Sequence, residues 1–289
     1  MRRVRDWLAN PWAKPRFLVV VTWSYIVWSI VPVVIAILFS FNAGRSRSVW
    51  QGFSLRWYWS DPGSVWNDPT LRSALEQSLR LAALDMAIAV PLGVTLALGL
   101  TRWRGYGARP INLLMLFPLV TPEIVMAVSL LLVFVTLYGV ALGTTAQVLG
   151  QVTFSVSYVV LIVRGRLLSI GRQYEEAATD LGASPLGALR LVLLPLLAPA
   201  IFASFMVVFA LSIDDFVVTD YLSSDVTTQT VPIRIYSSVR GTTTPALNAV
   251  ATVMVATTLL AIVLAYLIYR RFGSSGNADA LHDIAALEV

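Results

Sequence analysis

Long apolar stretches recur along the chain and are separated by shorter polar connections. A helix needs about 20 predominantly apolar residues to cross the roughly 30 Å hydrocarbon core of a bilayer. Six stretches meet this length to within a few residues: 17–41, 79–100, 111–137, 146–163, 191–218 and 246–269. The pattern therefore predicts an all-α, polytopic transmembrane bundle of six spans.

The fourth stretch differs from the others because polar side chains interrupt it. These side chains are Gln147, Gln151, Thr153, Ser155 and Ser157. Polar groups within a span hydrogen-bond to neighbouring helices, because lipid tails offer them no partner. We therefore expect the fourth span to pack among the other helices rather than against lipid.

The composition excludes a soluble domain. Hydrophobic residues make up 57% of the chain and charged residues only 13%, whereas a soluble domain carries about 25% charged residues. The formal net charge of +5 does not indicate nucleic-acid binding. The basic residues are scattered through the connections and form no cluster that could follow a phosphate backbone.

The residue types available also restrict the chemistry. The chain has no cysteine and a single histidine, His282, so thiolate metal sites, cysteine nucleophiles and a serine–histidine triad within the membrane are excluded. Its only lysine, Lys14, follows alanine, so the phosphate-binding sequence GxxxxGK[ST] is absent. We therefore expect a chain that is not an enzyme and has no metal or cofactor of its own. Any ATP hydrolysis is expected on another protein.

The basic residues in the connections predict the orientation of the spans, because cytoplasmic loops are enriched in lysine and arginine. Fourteen basic residues lie in the N-terminal tail, in the second and fourth connections and at Arg270 and Arg271 after the sixth stretch, and six lie in the connections on the other side. Both termini are therefore expected in the cytoplasm, as tails of residues 1–16 and 273–289 around a membrane domain of residues 17–272. The outer segment 42–77 is expected to contain short interfacial helices.

The fourth connection, at about residues 164–190, has a local pattern of its own. A short helix is predicted for residues 173–181, with one face formed by Tyr174, Ala177, Ala178 and Leu181. Gly182 is expected to end this helix with a positive φ, and Ser184 and Pro185 are typical of the start of a second helix. The two small alanines on an exposed apolar face allow a partner to approach closely. Taken alone, the segment also fits an ordinary amphipathic connector.

This segment resembles the EAA loop of permease subunits of ATP-binding-cassette (ABC) importers. The family pattern is EAA, three residues, Gly, nine residues, Ile, one residue and Leu-Pro. The chain has Glu176-Ala177-Ala178, Gly182, Val192 and Leu194-Pro195 at these spacings, and only Val192 departs from the pattern. The resemblance implies the type I ABC importer permease fold, in which this loop docks into a groove on the ATPase subunit. It implies ATPase-coupling roles for Tyr174, Glu176, Ala177, Ala178, Leu181 and Gly182.

The same resemblance implies a bacterial inner-membrane complex. Its other members are a homologous permease subunit, two ATPase subunits that bind ATP and Mg, and an extracytoplasmic solute-binding protein. Further segments are similar to spermidine/putrescine permeases: Val31-Pro32 with Ser40-Phe41-Asn42, 118–123, 211–215, 236–240 and 248–252. This similarity implies import of polyamines that a polyamine-binding protein delivers. The alternatives are a permease for another small solute and a stand-alone cation-coupled transporter, which has no use for an EAA loop.

Carboxylates in or beside the spans form the candidate pathway for a cationic solute. Charged side chains within a membrane are costly and usually face the bundle interior or a water-filled cavity. The candidate residues are Asp85, Glu123, the aspartate pair Asp214 and Asp215, and Asp220 just beyond the fifth stretch.

Local sequence adds an expectation for two of these positions. Pro118 and Pro122 precede Glu123 and are expected to break the third helix, which exposes backbone carbonyls to a cavity. The aspartate pair is expected near the outer end of the fifth span. Two alternatives remain open: Asp85 bonds to a neighbouring helix or to an arginine of a partner chain, and the aspartate pair caps a turn.

Overall fold

The computed structural model describes residues 16–46, 48–102, 105, 108–239 and 244–273. The tails predicted at residues 1–16 and 273–289 lie outside these ranges, apart from the helical residues Arg16 and Gly273. The described chain is all-α, and its only isolated strand pairing is an antiparallel bridge between Asn42 and Phe53.

The helices fall into a long and a short class. The long helices are α1 Arg16–Ser40, α3 Pro69–Arg102, α7 Thr144–Ile170, α10 Leu194–Asp214 and α13 Ala246–Gly273. The short helices are α2 Arg56–Trp59, α4 Ala108–Leu114, α5 Phe117–Val120, α6 Glu123–Leu132, α8 Gln173–Asp180, α9 Pro185–Ala188, α11 Val217–Tyr221 and α12 Val231–Val239. The π-helical segment Val133–Tyr138 continues α6, and a second one, Leu189–Leu193, joins α9 to α10. Residues Val226–Thr228 form a 3-10 turn.

The prediction of six spans is confirmed with one modification. Five helical segments in the described part of the chain are long and apolar enough to cross a membrane as single helices. The number is six when the bent pair Pro110–Val120 with Glu123–Tyr138, whose halves meet at 107°, is counted as one span.

The break in the third span lies at Thr121 and Pro122. Both residues have extended backbone, with ψ of 131° at each. Proline offers no N–H to continue a helix, and it also disfavours helical backbone at the residue before it. The break expected from the proline positions is therefore confirmed.

Three helix boundaries differ from the hydropathy prediction. The second span begins at Pro69, about ten residues early, because Leu71 and Leu75 are buried against the outer segment although polar residues surround them. The fourth continues to Ile170, so the predicted connection starts within a helix. The fifth ends at Asp214 rather than 218, because Asp215 has extended backbone with ψ of 117°.

The centre of the molecule is formed by α3, α7 and α10. Their contact buries a cluster of aliphatic side chains that includes Leu81, Val90, Val159, Leu197 and Val208. In contrast, α1 packs beside α13 and leaves nearly all of its large apolar side chains exposed. Such a surface suits lipid or another membrane helix.

The position expected for the fourth span is confirmed. Most of α7 is buried inside the subunit. Of the five polar side chains that interrupt the apolar stretch, Gln147, Gln151, Ser155 and Ser157 are buried and Thr153 is exposed. The polar stripe therefore belongs to the helix–helix contacts.

Gly93 allows α3 and α7 to approach closely. A Cβ atom at this position lies 2.5 Å from the Cβ of Val159 and 3.2 Å from the carbonyl oxygen of Val156. We expect Gly93→Ala to lower the free energy of unfolding by about 1–3 kcal/mol through overpacking. Gly99→Ala, in the same helix with no atom within 4 Å of the added Cβ, is the matched control and is expected to be neutral or stabilising by up to about 1 kcal/mol. Equal melting temperatures of the two purified variants contradict this packing.

The outer segment between α1 and α3 folds on its own contacts. Trp57 is buried, and its Nε1 donates to the carbonyl oxygen of Asn42 at 2.7 Å. The guanidinium of Arg56 lies 2.5 Å from the Asp61 carboxylate, and this bond lowers the pKa of Asp61 below its ordinary value. The expected short helix is present as α2.

Candidate substrate pathway and coupling loop

A cavity of about 450 Å³ lies between α3, α7, the start of α6 and the junction of α10 with α11. Its lining includes the carboxyl groups of Asp85, Glu123, Asp214 and Asp215. These four come from α3, from the start of α6 and from the junction between α10 and α11. The structure therefore brings together in one cavity four of the five residues that the sequence suggested for the pathway.

Asp220 is the exception among the predicted pathway residues. It lies on the five-residue helix α11, is exposed, and does not line the cavity. The α11 helix begins after the break at Asp215, where the backbone is extended. The structure therefore does not bring Asp220 together with the other four carboxylates, and its role in the pathway stays a prediction.

The helix breaks decide where the carboxylates lie. Glu123 is the first residue of α6, directly after the break at Pro122. Asp214 is the last residue of α10. Asp215 follows it, and its Oδ1 accepts a hydrogen bond from the backbone N–H of Val218 at 3.1 Å. The turn-capping alternative for the aspartate pair thus holds for Asp215, which lines the cavity at the same time.

Asp85 forms a hydrogen bond to a neighbouring helix, which was one of the two alternatives given for this residue. Its Oδ2 accepts a hydrogen bond from the Ser155 hydroxyl of α7 at 2.7 Å. The side chain is fully buried. Its other oxygen, Oδ1, is buried without a hydrogen-bond partner.

Two buried glutamines one turn apart on α7 hold the end of α10 and the segment that follows it in place. Gln151 donates from Nε2 to Asp215 Oδ2 at 3.1 Å, and its Oε1 accepts from the Ser212 hydroxyl at 2.8 Å. Gln147 donates from Nε2 to the carbonyl oxygens of Thr219 and Thr228, each at 2.9 Å. These bonds hold the end of α10 and the segment after it against α7.

Sequence reasoning did not assign these polar residues to the pathway. Gln151, Ser155 and Ser212 line the cavity together with the aromatic side chains of Phe154 and Tyr158. The available signal was the polar stripe at positions 147, 151 and 155, which repeats every four residues along α7. By itself this stripe predicts helix packing, because hydropathy does not show which buried polar side chains meet a cavity.

The cavity has an acidic character without the geometry of a metal centre. None of the residues that line it is basic. Within the described parts of the chain, no group of three or more His, Cys, Asp or Glu side chains is arranged to hold a metal ion. The site therefore offers separate carboxylates to an elongated or diffuse positive charge.

The coupling loop has the local geometry that its sequence predicted. Helix α8 ends at Asp180, and Gly182, two residues further along, has a φ of +85°. The N–H of Gly182 donates to the carbonyl of Thr179, and the N–H of Ala183 donates to that of Ala178, both at 2.9 Å. This pair of bonds is the Schellman motif that terminates many helices. Ser184 then caps α9 by accepting from the N–H of Gly187 at 3.2 Å.

The exposed face of α8 differs in one residue from the predicted face. Tyr174 is 47% exposed, Leu181 is 90% exposed, and Glu176 and Ala177 are exposed as well. Ala178 is only 8% exposed, because α8 packs on α9 and the following π-helical segment. The expectation that Ala178 lies on the exposed face is therefore wrong, although its role in coupling stays a prediction.

An ion pair joins the coupling loop to the second span. The guanidinium of Arg102, at the end of α3, lies 2.6 Å from the carboxylate of Glu175 on α8. At the same end of the bundle, Arg164 of α7 donates to Asn112 of α4 at 2.6 Å. The Arg102–Glu175 pair links α8 to α3, the helix that contains Asp85.

Comparison with known proteins identifies the family. The family model described as the inner membrane component of binding-protein-dependent transport systems matches residues 89–275. The chain belongs to this family. It is thus a membrane component of a transport system, and the predicted fold class of an all-α ABC importer permease is confirmed.

Permease proteins of polyamine transport systems are similar to this chain over most of its length. The spermidine/putrescine transport system permease protein PotC of Haemophilus influenzae is 36% identical over 241 residues, which cover 83% of this chain and 91% of that protein. The putrescine transport system permease protein PotI of Escherichia coli K12 is 35% identical over 252 residues, which cover 85% and 86%.

Solved structures agree on the fold. A chain in the crystal structure of a bacterial alginate ABC transporter, in complex with an alginate pentasaccharide-bound periplasmic protein, superposes with a TM-score of 0.72. The match covers 94% of this chain and 97% of that chain at 16% sequence identity. At this identity the likeness concerns the fold alone.

Proposed function

We propose that this chain is a permease subunit of an ABC importer and that it translocates polyamines such as spermidine and putrescine. The observation that carries the proposal is the cavity with four carboxyl groups and no basic residue in its lining. The names of the relatives from Haemophilus influenzae and Escherichia coli support the same substrate class.

The chemistry of the cavity fits a polyamine in two respects. Carboxylates attract ammonium groups, and aromatic faces such as those of Phe154, Tyr158 and Phe216 add cation–π attraction and contact for methylene groups. An anion would need arginines or open helix N-termini. Here Glu123 occupies the start of α6, and Asp215 already accepts from a backbone N–H at the start of α11.

The proposed complex contains a homologous permease subunit, two ATPase subunits and an extracytoplasmic polyamine-binding protein. ATP and Mg bind the ATPase subunits. Both termini and the coupling loop face the cytoplasm, where closure of the ATPases on ATP pulls on α8. This motion switches the cavity between inward-facing and outward-facing states, and the binding protein delivers the polyamine to the outward-facing state.

Reconstitution of the complex in lipid vesicles tests the proposal. We expect ATP-dependent uptake of radiolabelled spermidine and putrescine in the presence of the binding protein, and no uptake of sulfate or glutamate. Uptake driven by an ion gradient in vesicles that contain this chain without an ATPase supports the stand-alone transporter instead. ATP-dependent uptake of an uncharged or anionic solute in place of polyamines contradicts the substrate assignment.

Glu123→Gln is expected to discriminate between the two polyamines. Glu123 is exposed to the cavity at the start of α6, and its charge attracts each ammonium group that passes. Spermidine carries one more ammonium than putrescine, so its apparent KM should rise further, by about threefold to tenfold relative to that of putrescine. The measurement is initial uptake at varied concentration of each polyamine. Equal changes for both polyamines indicate that the Glu123 charge has only a structural role.

A further inference from the structure

Asp85 has an unusual environment for a carboxylate. It lies near the middle of the 34-residue helix α3, is fully buried, and forms part of the cavity wall. Ser155 donates to one of its oxygens at 2.7 Å. The other oxygen, Oδ1, has no partner among the described residues and is shielded from solvent in this conformation.

Such an oxygen is costly to maintain. A buried polar group without a hydrogen bond loses its hydration without compensation, and the loss is greater for a charged group. The single bond from Ser155 satisfies only one of the two carboxylate oxygens. No basic side chain among the residues that line the cavity compensates the charge. Oδ1 itself has no solvent-accessible surface in this conformation. A donor in the cavity can supply the missing hydrogen bond once the Asp85 carboxylate turns this oxygen towards the cavity.

The rest of the cavity indicates the chemistry of that donor. The side chains of Phe154 and Tyr158 line it on α7, one and two turns of helix from Gln151, and provide apolar surface for methylene groups. The aspartate pair Asp214 and Asp215 supplies further carboxylates from a different part of the chain. More than one carboxylate, with aromatic surface in the same cavity, suits two ammonium groups joined by an alkyl chain.

We propose that Asp85 is a central anchor that binds one terminal ammonium group of the transported amine while the aspartate pair binds another. The ammonium donates to Asp85 Oδ1, and Ser155 keeps the carboxylate in position through Oδ2. The anchor selects amines with at least two positive charges, because a monoamine cannot bind Asp85 and the aspartate pair at once. This inference rests on the proposed function, since it specifies how that cavity holds its substrate.

The test compares Asp85→Asn with Asp220→Asn in the assembled complex. Asparagine is close to aspartate in size and can still accept from Ser155, so only the charge at position 85 is removed. Asp220 is an exposed aspartate outside the cavity and serves as the matched control. Two quantities are measured: the apparent KM for putrescine uptake, and the rise in melting temperature of the purified complex with butylamine, putrescine or spermidine.

We expect Asp85→Asn to raise the apparent KM for putrescine about tenfold, the effect of losing one charge-assisted hydrogen bond. The extra stabilisation by putrescine over butylamine should disappear in Asp85→Asn and persist in Asp220→Asn. Basal ATP hydrolysis and the yield of complex should match the wild type in both variants.

The other outcomes separate this inference from the proposed function. If the wild type imports polyamines and Asp85→Asn has unchanged KM and unchanged thermal shifts, the anchor is refuted and the proposed function stands. The same holds if Asp85→Asn reduces assembly with the sister permease, which indicates pairing with a partner arginine. If the wild type imports no polyamine, the proposed function fails. In that case, a larger rise in melting temperature with putrescine than with butylamine that is lost in Asp85→Asn still supports the anchor.

Discussion

Replacement of both Asp214 and Asp215 by asparagine is expected to reduce polyamine uptake by about a hundredfold. The pair lies at the break between α10 and α11 and lines the cavity beside Glu123 and Asp85. Removal of two charges in this confined site weakens the attraction for an ammonium group at each carboxylate by about tenfold or more. The binding protein and the ATPases are untouched, so assembly and basal ATP hydrolysis should be retained.

The two aspartates are expected to contribute in different ways. Asp214 is exposed, so Asp214→Asn changes mainly charge. Asp215 also accepts from Gln151 at 3.1 Å and from the N–H of Val218, so Asp215→Asn disturbs the turn as well and should lower the melting temperature. The control is Asp220→Asn, which removes an acidic side chain on α11 outside the cavity. Uptake by each variant is compared with uptake by this control. Wild-type uptake kinetics in the double variant exclude a role for the pair in the pathway.

Ala177→Arg is expected to abolish import while leaving the permease folded. Ala177 is exposed on α8 beside Tyr174 and Leu181, where a docked ATPase requires a small side chain. A long charged side chain there prevents close packing and places a charge in the interface without a partner. The ATPase should dissociate during purification, and uptake should fall to background, with an unchanged melting temperature of the permease.

The neighbouring positions provide the controls for this prediction. Ala178→Arg alters a buried residue, so it should lower the melting temperature of the permease in addition to releasing the ATPase. Thr179→Arg alters an exposed residue that lies on the opposite side of α8 at 100° per residue, and it should retain the ATPase. If Ala177→Arg retains both the ATPase and uptake at wild-type levels, α8 is not the coupling element.

Local sequence was sufficient to predict several parts of this structure. The spans follow from apolar length, because the bilayer imposes a minimum helix length whatever the tertiary contacts. The break before Glu123 follows from Pro122, which removes a backbone donor in any context. The end of α8 just before Gly182, which has a φ of +85°, follows because glycine alone adopts this conformation cheaply. Each of these features depends on a residue and its immediate neighbours.

The candidate site required tertiary structure. Asp85 and Ser155 are 70 positions apart, Gln151 and Asp215 are 64 apart, and Arg102 and Glu175 are 73 apart. Whether such residues meet depends on how each helix is rotated about its axis and how closely the helices approach, as at Gly93. Hydropathy identifies the helices but not these rotations.

Two positions illustrate the same difference. Asp220 follows the aspartate pair closely in sequence, yet the helix breaks at Asp215 and Asp220 does not line the cavity. Ala177 and Ala178 are equivalent in composition, yet the packing of α8 on α9 exposes one and buries the other. The sequence thus determined the membrane spans, the proline break and the coupling turn, which are set by local backbone chemistry. The tertiary structure alone decided which side chains share the cavity and which face the partner, because packing between distant helices sets those positions.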